Sequence, residues 1–299
     1  MNRFDEYLEK YKQSGANVKN AAIVGAGDRH TLEAVYMAAD DGVITPIAIG
    51  DKSVIESLLH EMGRAPGTLR IIDADSPERS AEIAIEVTNN GEADLIVKGK
   101  IETKPLMQAI IDKKNNLRTD RIISHIGFNH INKYHKLIAV TDCAINIAPD
   151  LEQKRQILDN AVEALAKMGI KNPKVGVVAV SEELNASMAE SVDALALKED
   201  YLAGKIQNCI VEGPISLDLA LDPEAAAIKG YKSPVAGDVD LLLMPNLTTG
   251  NIFGKTLIYT EAGMACGFVA GAKVPIVLVS RASPVQDKYY SIILAAMRL

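Results

Sequence analysis

The sequence contains no tryptophan and only four phenylalanines and nine tyrosines in 299 residues. Proteins that stack flat bases or sugars need clustered exposed rings, and no such cluster is spelled out here. Basic charge is in deficit as well: 32 Lys and Arg face 39 Asp and Glu, a net of −7. That balance excludes a surface built to neutralise nucleic-acid phosphates or an anionic membrane. Cys143, Cys209 and Cys266 stand far apart with no C-x-x-C among them, which excludes a disulfide scaffold and suits buried thiols in a reducing setting. No run approaches the ~18 apolar residues of a membrane span. The opening MNRFDEYLEKYKQSG lacks the apolar core of a secretory signal, so a cytoplasmic location is expected.

What is present is a chain with 48% apolar residues and no low-complexity segment. At about 100–200 residues per domain it holds two domains or one large α/β unit. Short β-branched runs alternate with stretches of helical spacing, the pattern of a parallel sheet with crossover helices. Strands are expected at Ala21–Val24, Pro46–Ile49, Leu69–Ile72, Leu95–Val97, Ile122–Ile126, Leu137–Val140, Val175–Val180, Cys209–Val211, Leu241–Met244 and Val274–Val279. Helices are expected between them, including Thr31–Ala39, Glu78–Asn89, Leu151–Lys167, Gly250–Gly263 and Val285–Met297.

Five segments are candidates for chemistry. AAIVGAGDRH (Ala21–His30) runs a strand into a glycine turn, but His30 stands where a dinucleotide fingerprint needs its third glycine, which permits close helix packing. His125, His130 and His135 are five apart and share no face of a helix or strand, so no metal site is expected of them; His125 is read first as a core histidine, with a pocket wall as the alternative. VKGKIETKP (Val97–Pro105) places Lys98, Lys100 and Lys104 just beyond an apolar strand, where open α/β sheets bind ligands. A solvated helix start fits the same residues, although lysine near a helix N-terminus is disfavoured unless an anion compensates. In DLLLMPNLTTGNIFGK (Asp240–Lys255), Thr249, Gly250 and Asn251 would open a helix with amides and hydroxyls suited either to an anion or to a simple cap. VPIVLVSRASPVQDK (Val274–Lys288) delivers Ser280 and Arg281 at a strand end and Asp287 on the segment after it; no histidine is spaced to make a hydrolase triad with them.

Taken in series, VEGPISLDLAL (Val211–Leu221), MPNLTTGNI (Met244–Ile252) and SRASPVQD (Ser280–Asp287) resemble the phosphotransacylases, the phosphate acetyl- and butyryltransferase family. The KGKIETKPLMQAIID segment (Lys98–Asp112) is more similar to the butyryl-type members, with Lys104-Pro105 in place of the family's Arg-Pro pair and Arg121 as the counterpart of a second arginine. The resemblance implies a two-domain α/β fold of the isocitrate/isopropylmalate dehydrogenase type, with parallel or mixed sheets flanked by helices. The first domain would take 1–138 plus 272–299, the second 139–271, with the active site in the cleft.

The implied reaction interconverts acyl-CoA plus phosphate with acyl phosphate plus CoA, with butyryl as the expected acyl group and acetyl as the alternative. Asp287 is implied as the base for the CoA thiol, and Ser280 as an oxyanion donor. Arg281, Lys100, Lys104, Arg121, Thr249, Gly250 and Asn251 would bind phosphate and CoA. A carboxylate near pKa about 4 must gain basicity by burial, or take the proton as attack proceeds, to serve a thiol of about 8.5. No metal and no tightly bound cofactor is expected, CoA entering as substrate, and the assembly would be a homodimer or higher homo-oligomer. Two rival readings are an NAD- and metal-dependent hydroxyacid dehydrogenase and a catalytically silent regulatory domain of the same fold.

Overall fold

The computed structural model describes residues 3–65, 67–260, 264–280 and 283–298. They fall into two compact units: Phe4–Arg121 joined by the chain from Cys266 onward, and Ile122–Ala265 with Arg3.

The first unit opens with α1 (Arg3–Gln13) and then alternates strand and helix: β1 (Lys19–Val24), α2 (Arg29–Asp40), β2 (Ile44–Gly50), α3 (Lys52–Glu61), β3 (Arg70–Asp73), α4 (Pro77–Asn89), β4 (Leu95–Lys98) and α5 (Thr103–Ile111). The strands are parallel in the order β3-β2-β1-β4, so the order reverses at β1. Every residue of β4 and the last four of β1 are buried. Strands covered by helices on both faces read as continuous apolar runs, which is why these were legible. Asp28, Asp51 and Ser76 each accept a backbone N–H in the first turn of α2, α3 and α4, and Pro77 opens α4 where its missing N–H costs nothing.

The second unit contains β5 (Ser124–His130), β6 (Leu137–Thr141), α6 (Leu151–Lys167), β7 (Lys174–Val178), α7 (Ala189–Leu202), β8 (Ile210–Ile215), α8 (Leu217–Leu221), α9 (Pro223–Ile228), β9 (Leu241–Leu243) and α10 (Leu247–Thr260). Its strand order is β5-β6-β9-β7-β8; β5 runs antiparallel to β6 and the other pairs are parallel. Ile138, Val140, Ile215, Val239 and Leu242 form the centre of its core. The chain then returns through β10 (Ala265–Ala270), β11 (Ile276–Val277) and α11 (Val285–Met297). β11 pairs parallel to β4 and antiparallel to β10.

The α/β class is the expected one, and the departures from the sequence reading have local causes. β10, spelled ACGFVA, has neither strict alternation nor a long β-branched run, and no strand was expected there. Of Val274–Val279 only Ile276 and Val277 stay in the sheet. The chain crosses between units at Arg121/Ile122, not at 138/139, because β5 and β6 are one antiparallel pair and remain together, and at Ala265/Cys266, not at 271/272, where β10 pairs antiparallel with β11.

Asp238 ties the starts of β6, β7 and β9 together. Its carboxylate meets the ammonium groups of Lys136 at 2.7 Å and Lys174 at 2.5 Å and the ring of His135 at 2.7 Å. Burial pushes its pKa up, but the bonds from Lys136, Lys174 and His135 outweigh that and hold it well below the usual carboxylate range. A carboxylate depressed in the folded state adds stability above its unfolded pKa, and that stability fades as pH falls toward the folded value. Asp238→Asn should therefore lower the urea midpoint at pH 7, with the gap to the parent protein narrowing steadily below about pH 4. A gap independent of pH would contradict this assignment.

Candidate active site

Two glycines fix the ends of β1 and β4. Gly25 has φ +67°, and a Cβ there would lie 2.8 Å from the Lys100 carbonyl oxygen; at Gly99 a Cβ would lie 2.4 Å from the Gly25 oxygen. Without side chains the backbones meet directly: Gly99 N–H donates to Val24 O at 2.8 Å and Lys100 N–H to Gly25 O at 2.7 Å. The glycine turn thus holds the segment that carries the lysines. Lys98 is buried at the end of β4, Lys100 is exposed just beyond it, and Lys104 is exposed in the first turn of α5. Glu102, which precedes α5, gives that helix no side-chain cap.

The same turn is unsuited to a dinucleotide pyrophosphate. The Asp28 carboxylate accepts from Thr31 N–H at 3.0 Å and so occupies the N-terminus of α2 with negative charge. A cavity of about 250 Å³ opens nearby, lined in part by Gly25, Gly27, Gly50, Asp51, Asp75 and Lys100.

β11 brings the distant C-terminal segment to β4. Val277 pairs with Val97, so Ser280 and Lys100 each lie three residues beyond a paired position on adjacent parallel strands. Adjacent strands are about 4.8 Å apart, and the two segments leave the sheet at the same, carboxyl end of these strands. Ser280 is exposed, and its carbonyl accepts from Ser283 N–H at 3.0 Å. Arg281 lies outside the described residues. Asp287 follows in the first turn of α11 and is 5% exposed. Ser291 Oγ donates to the Asp287 carbonyl at 2.6 Å and accepts from Gly267 N–H at 2.9 Å, anchoring that turn to β10. Arg121 is exposed at the crossing between units, its N–H bound to Thr119 Oγ1.

Thr249, Gly250 and Asn251 lie in the second unit and differ from expectation. α10 begins at Leu247, three residues before the expected start. Thr249 N–H and Oγ1 both go to Asn246 Oδ1, and Gly250 N–H goes to Asn246 O, so these donors are engaged within the chain. Asn251 Nδ2 donates to Cys143 O at 3.2 Å. A Cβ on Gly250 would sit 2.5 Å from Asp142 O, so glycine serves here to seat α10 against the turn after β6. That turn is organised by the buried Asp142 carboxylate, which accepts the N–H groups of Ala144, Ile145 and Asn146. Beside it, His125 Nδ1 and Cys143 Sγ are 3.0 Å apart. Burial, reinforced by Asp142, pushes the Cys143 thiol up to about 12. Burial lowers the pKa of His125, with Asp142 opposing it.

Residues 78–296 match the sequence model of a family described as "Phosphate acetyl/butaryl transferase". The chain belongs to this family. It is 36% identical over 294 residues to the phosphate butyryltransferase of Clostridium acetobutylicum, covering 98% of this chain and 97% of the relative. It is 35% identical to the phosphate acetyltransferase of Thermotoga maritima, covering 97% and 99%. Among solved structures it is similar to a branched-chain phosphotransacylase from Enterococcus faecalis V583, with a TM-score of 0.84 and 28% identity over 94% of this chain and 99% of that one. Acetyl- and butyryl-named relatives stand at nearly equal identity, so identity does not choose the acyl group.

Sequence reading missed one feature of this site, the contact of Lys288 with Asp28 and Thr31. The D-x-x-T spacing after the glycine turn announces the cap of α2, but nothing in the sequence announces a lysine 260 residues later as its partner. The glycine contact itself is testable. Gly99→Ala should destabilise the protein by about 1–3 kcal/mol, as overpacking does, read from the urea midpoint at unchanged slope. An unchanged midpoint would show that the strand ends can separate without cost.

Proposed function

We propose that this phosphotransacylase joins acyl-CoA and phosphate in a ternary complex and exchanges the acyl group between them directly. In the direction that forms acyl-CoA, the CoA sulfur attacks the acyl carbon of the acyl phosphate. Its proton passes to Asp287, a carbon–sulfur bond forms, the carbon–oxygen bond to phosphate breaks, and phosphate leaves with the bonding electrons. Ser280 donates to the oxyanion, and Arg281, Lys100, Lys104 and Arg121 bind phosphate and CoA. Thr249, Gly250 and Asn251 act chiefly by seating α10, given where their donors go.

The observation that supports this reading is the pairing of β11 with β4, from whose ends the chain runs on to Ser280 and to the lysine segment, with a buried Asp287 on the helix that follows. Direct transfer is supported by the state of the thiols. Burial pushes Cys143 to about 12, Cys209 to about 11 and Cys266 well above the ordinary value, whereas a nucleophilic cysteine needs a lowered pKa. For the acyl group we favour butyryl, on the likeness of Lys98–Asp112 to the butyryl-type members.

Release of free thiol from butyryl-CoA and acetyl-CoA in the presence of phosphate tests the reading. Ser280→Ala should cost roughly a hundred- to thousandfold in kcat, the usual loss for one oxyanion donor, and Asp287→Asn should nearly abolish turnover. Both should keep the parent circular dichroism, and butyryl-CoA should give the higher kcat/KM. Ordinary rates with Asp287→Asn would require another base.

A further inference from the structure

We propose that Asp28 and Lys288 are positioning residues, a clamp of a buried lysine on a partly exposed carboxylate that sets the first turn of α11 and with it Asp287; this rests on the assignment of Asp287 as the base.

Lysine is poorly suited to this place on general grounds. It lies in the first turn of α11, where the helix dipole opposes a cation, and it is 5% exposed, where an ammonium without a partner is strongly disfavoured. The compensation comes from another element: Lys288 Nζ is 3.3 Å from Asp28 Oδ2 and 3.2 Å from Thr31 Oγ1. Asp28 is fixed in turn, since its carboxylate also caps α2 through Thr31 N–H and the Thr31 hydroxyl. It follows Gly25 and Gly27 in the turn whose backbone is pinned to Lys100.

α11 has few means of setting its own start. Pro284 at its N-cap makes no side-chain cap bond, and the first helical bond, Lys288 N–H to Pro284 O, is long at 3.4 Å. Among the described contacts, Ser291 reaches β10 and Lys288 reaches α2 from this turn, and Tyr289 and Tyr290 just after it donate to Asp41 and Asp5; Lys288 is the residue next to Asp287 in the chain. Consecutive helical residues project about 100° apart, so a fixed Lys288 fixes the direction in which Asp287 projects. The clamp thereby links the turn that holds Lys100 to the turn that carries the base. A displacement of about 1 Å can cost a hundredfold in a positioned reaction.

A clamp of this kind predicts a split between rate and binding that a purely structural ion pair does not. In the full-length protein, Lys288→Met should lower kcat by about tenfold or more while KM for acyl-CoA and phosphate stays within about threefold, and Lys288→Arg should recover most of kcat. The charge-neutral double variant Asp28→Asn/Lys288→Met, in which no buried charge is left alone, should regain the urea midpoint lost by either single variant without regaining kcat; it also serves if a single variant fails to fold. Parent-like kcat in the double variant, or loss of kcat only in proportion to the unfolded fraction, would overturn the proposal. Asp287→Asn measured alongside separates the two readings: if it is active, the base assignment fails, and if it is inactive while Lys288→Met is normal, the clamp alone fails.

Discussion

The arrangement of the first unit depends on one contact that only glycine allows, the meeting of the ends of β1 and β4. With Cβ positions 2.8 Å and 2.4 Å from carbonyl oxygens, any other residue at Gly25 or Gly99 forces the two backbones apart. Because those backbones hydrogen-bond, the segment leaving β4 is held in place before its side chains are considered. The return strand β11 adds to the far edge of β4 and so inherits that position. The glycine turn serves the packing of strand ends, in keeping with a spelling that has His30 where a dinucleotide fingerprint needs glycine. It brings protein backbone, in place of a pyrophosphate, close to the strand end, while Asp28 puts a carboxylate where a dinucleotide's phosphates would need to be.

This explains which parts of the fold were legible in the sequence. β1, β2, β4, α4 and α6 announced themselves because buried parallel strands are apolar runs and their helices carry recognisable caps. β10 did not, since its small residues match neither period. The crossing between units was misplaced because hairpin pairing of β5 with β6 is a tertiary fact that composition does not carry.

The candidate site was legible to a similar depth. Ser280 and the lysines after Val97 were readable as residues beyond strand ends and Asp287 as a residue of the segment that follows; β11 and β4, which precede Ser280 and the lysines, pair side by side. Thr249, Gly250 and Asn251 were identifiable as a helix start, but their partners, Asn246 and the Asp142–Cys143 turn, decide that their donors are spent within the fold. The partner of Lys288 was invisible for the same reason: long-range charge pairing leaves no local spacing to read. The acidic balance of the whole chain coexists with Lys100 and Lys104, exposed just beyond β4.

The central claim is that the acyl group passes directly between CoA and phosphate, since the three thiols are held protonated by burial. The most direct test is exchange of labelled CoA into butyryl-CoA with phosphate rigorously absent. Direct transfer predicts no exchange above background until phosphate is added. Exchange without phosphate, with a labelled acyl group retained on the protein, would contradict the account.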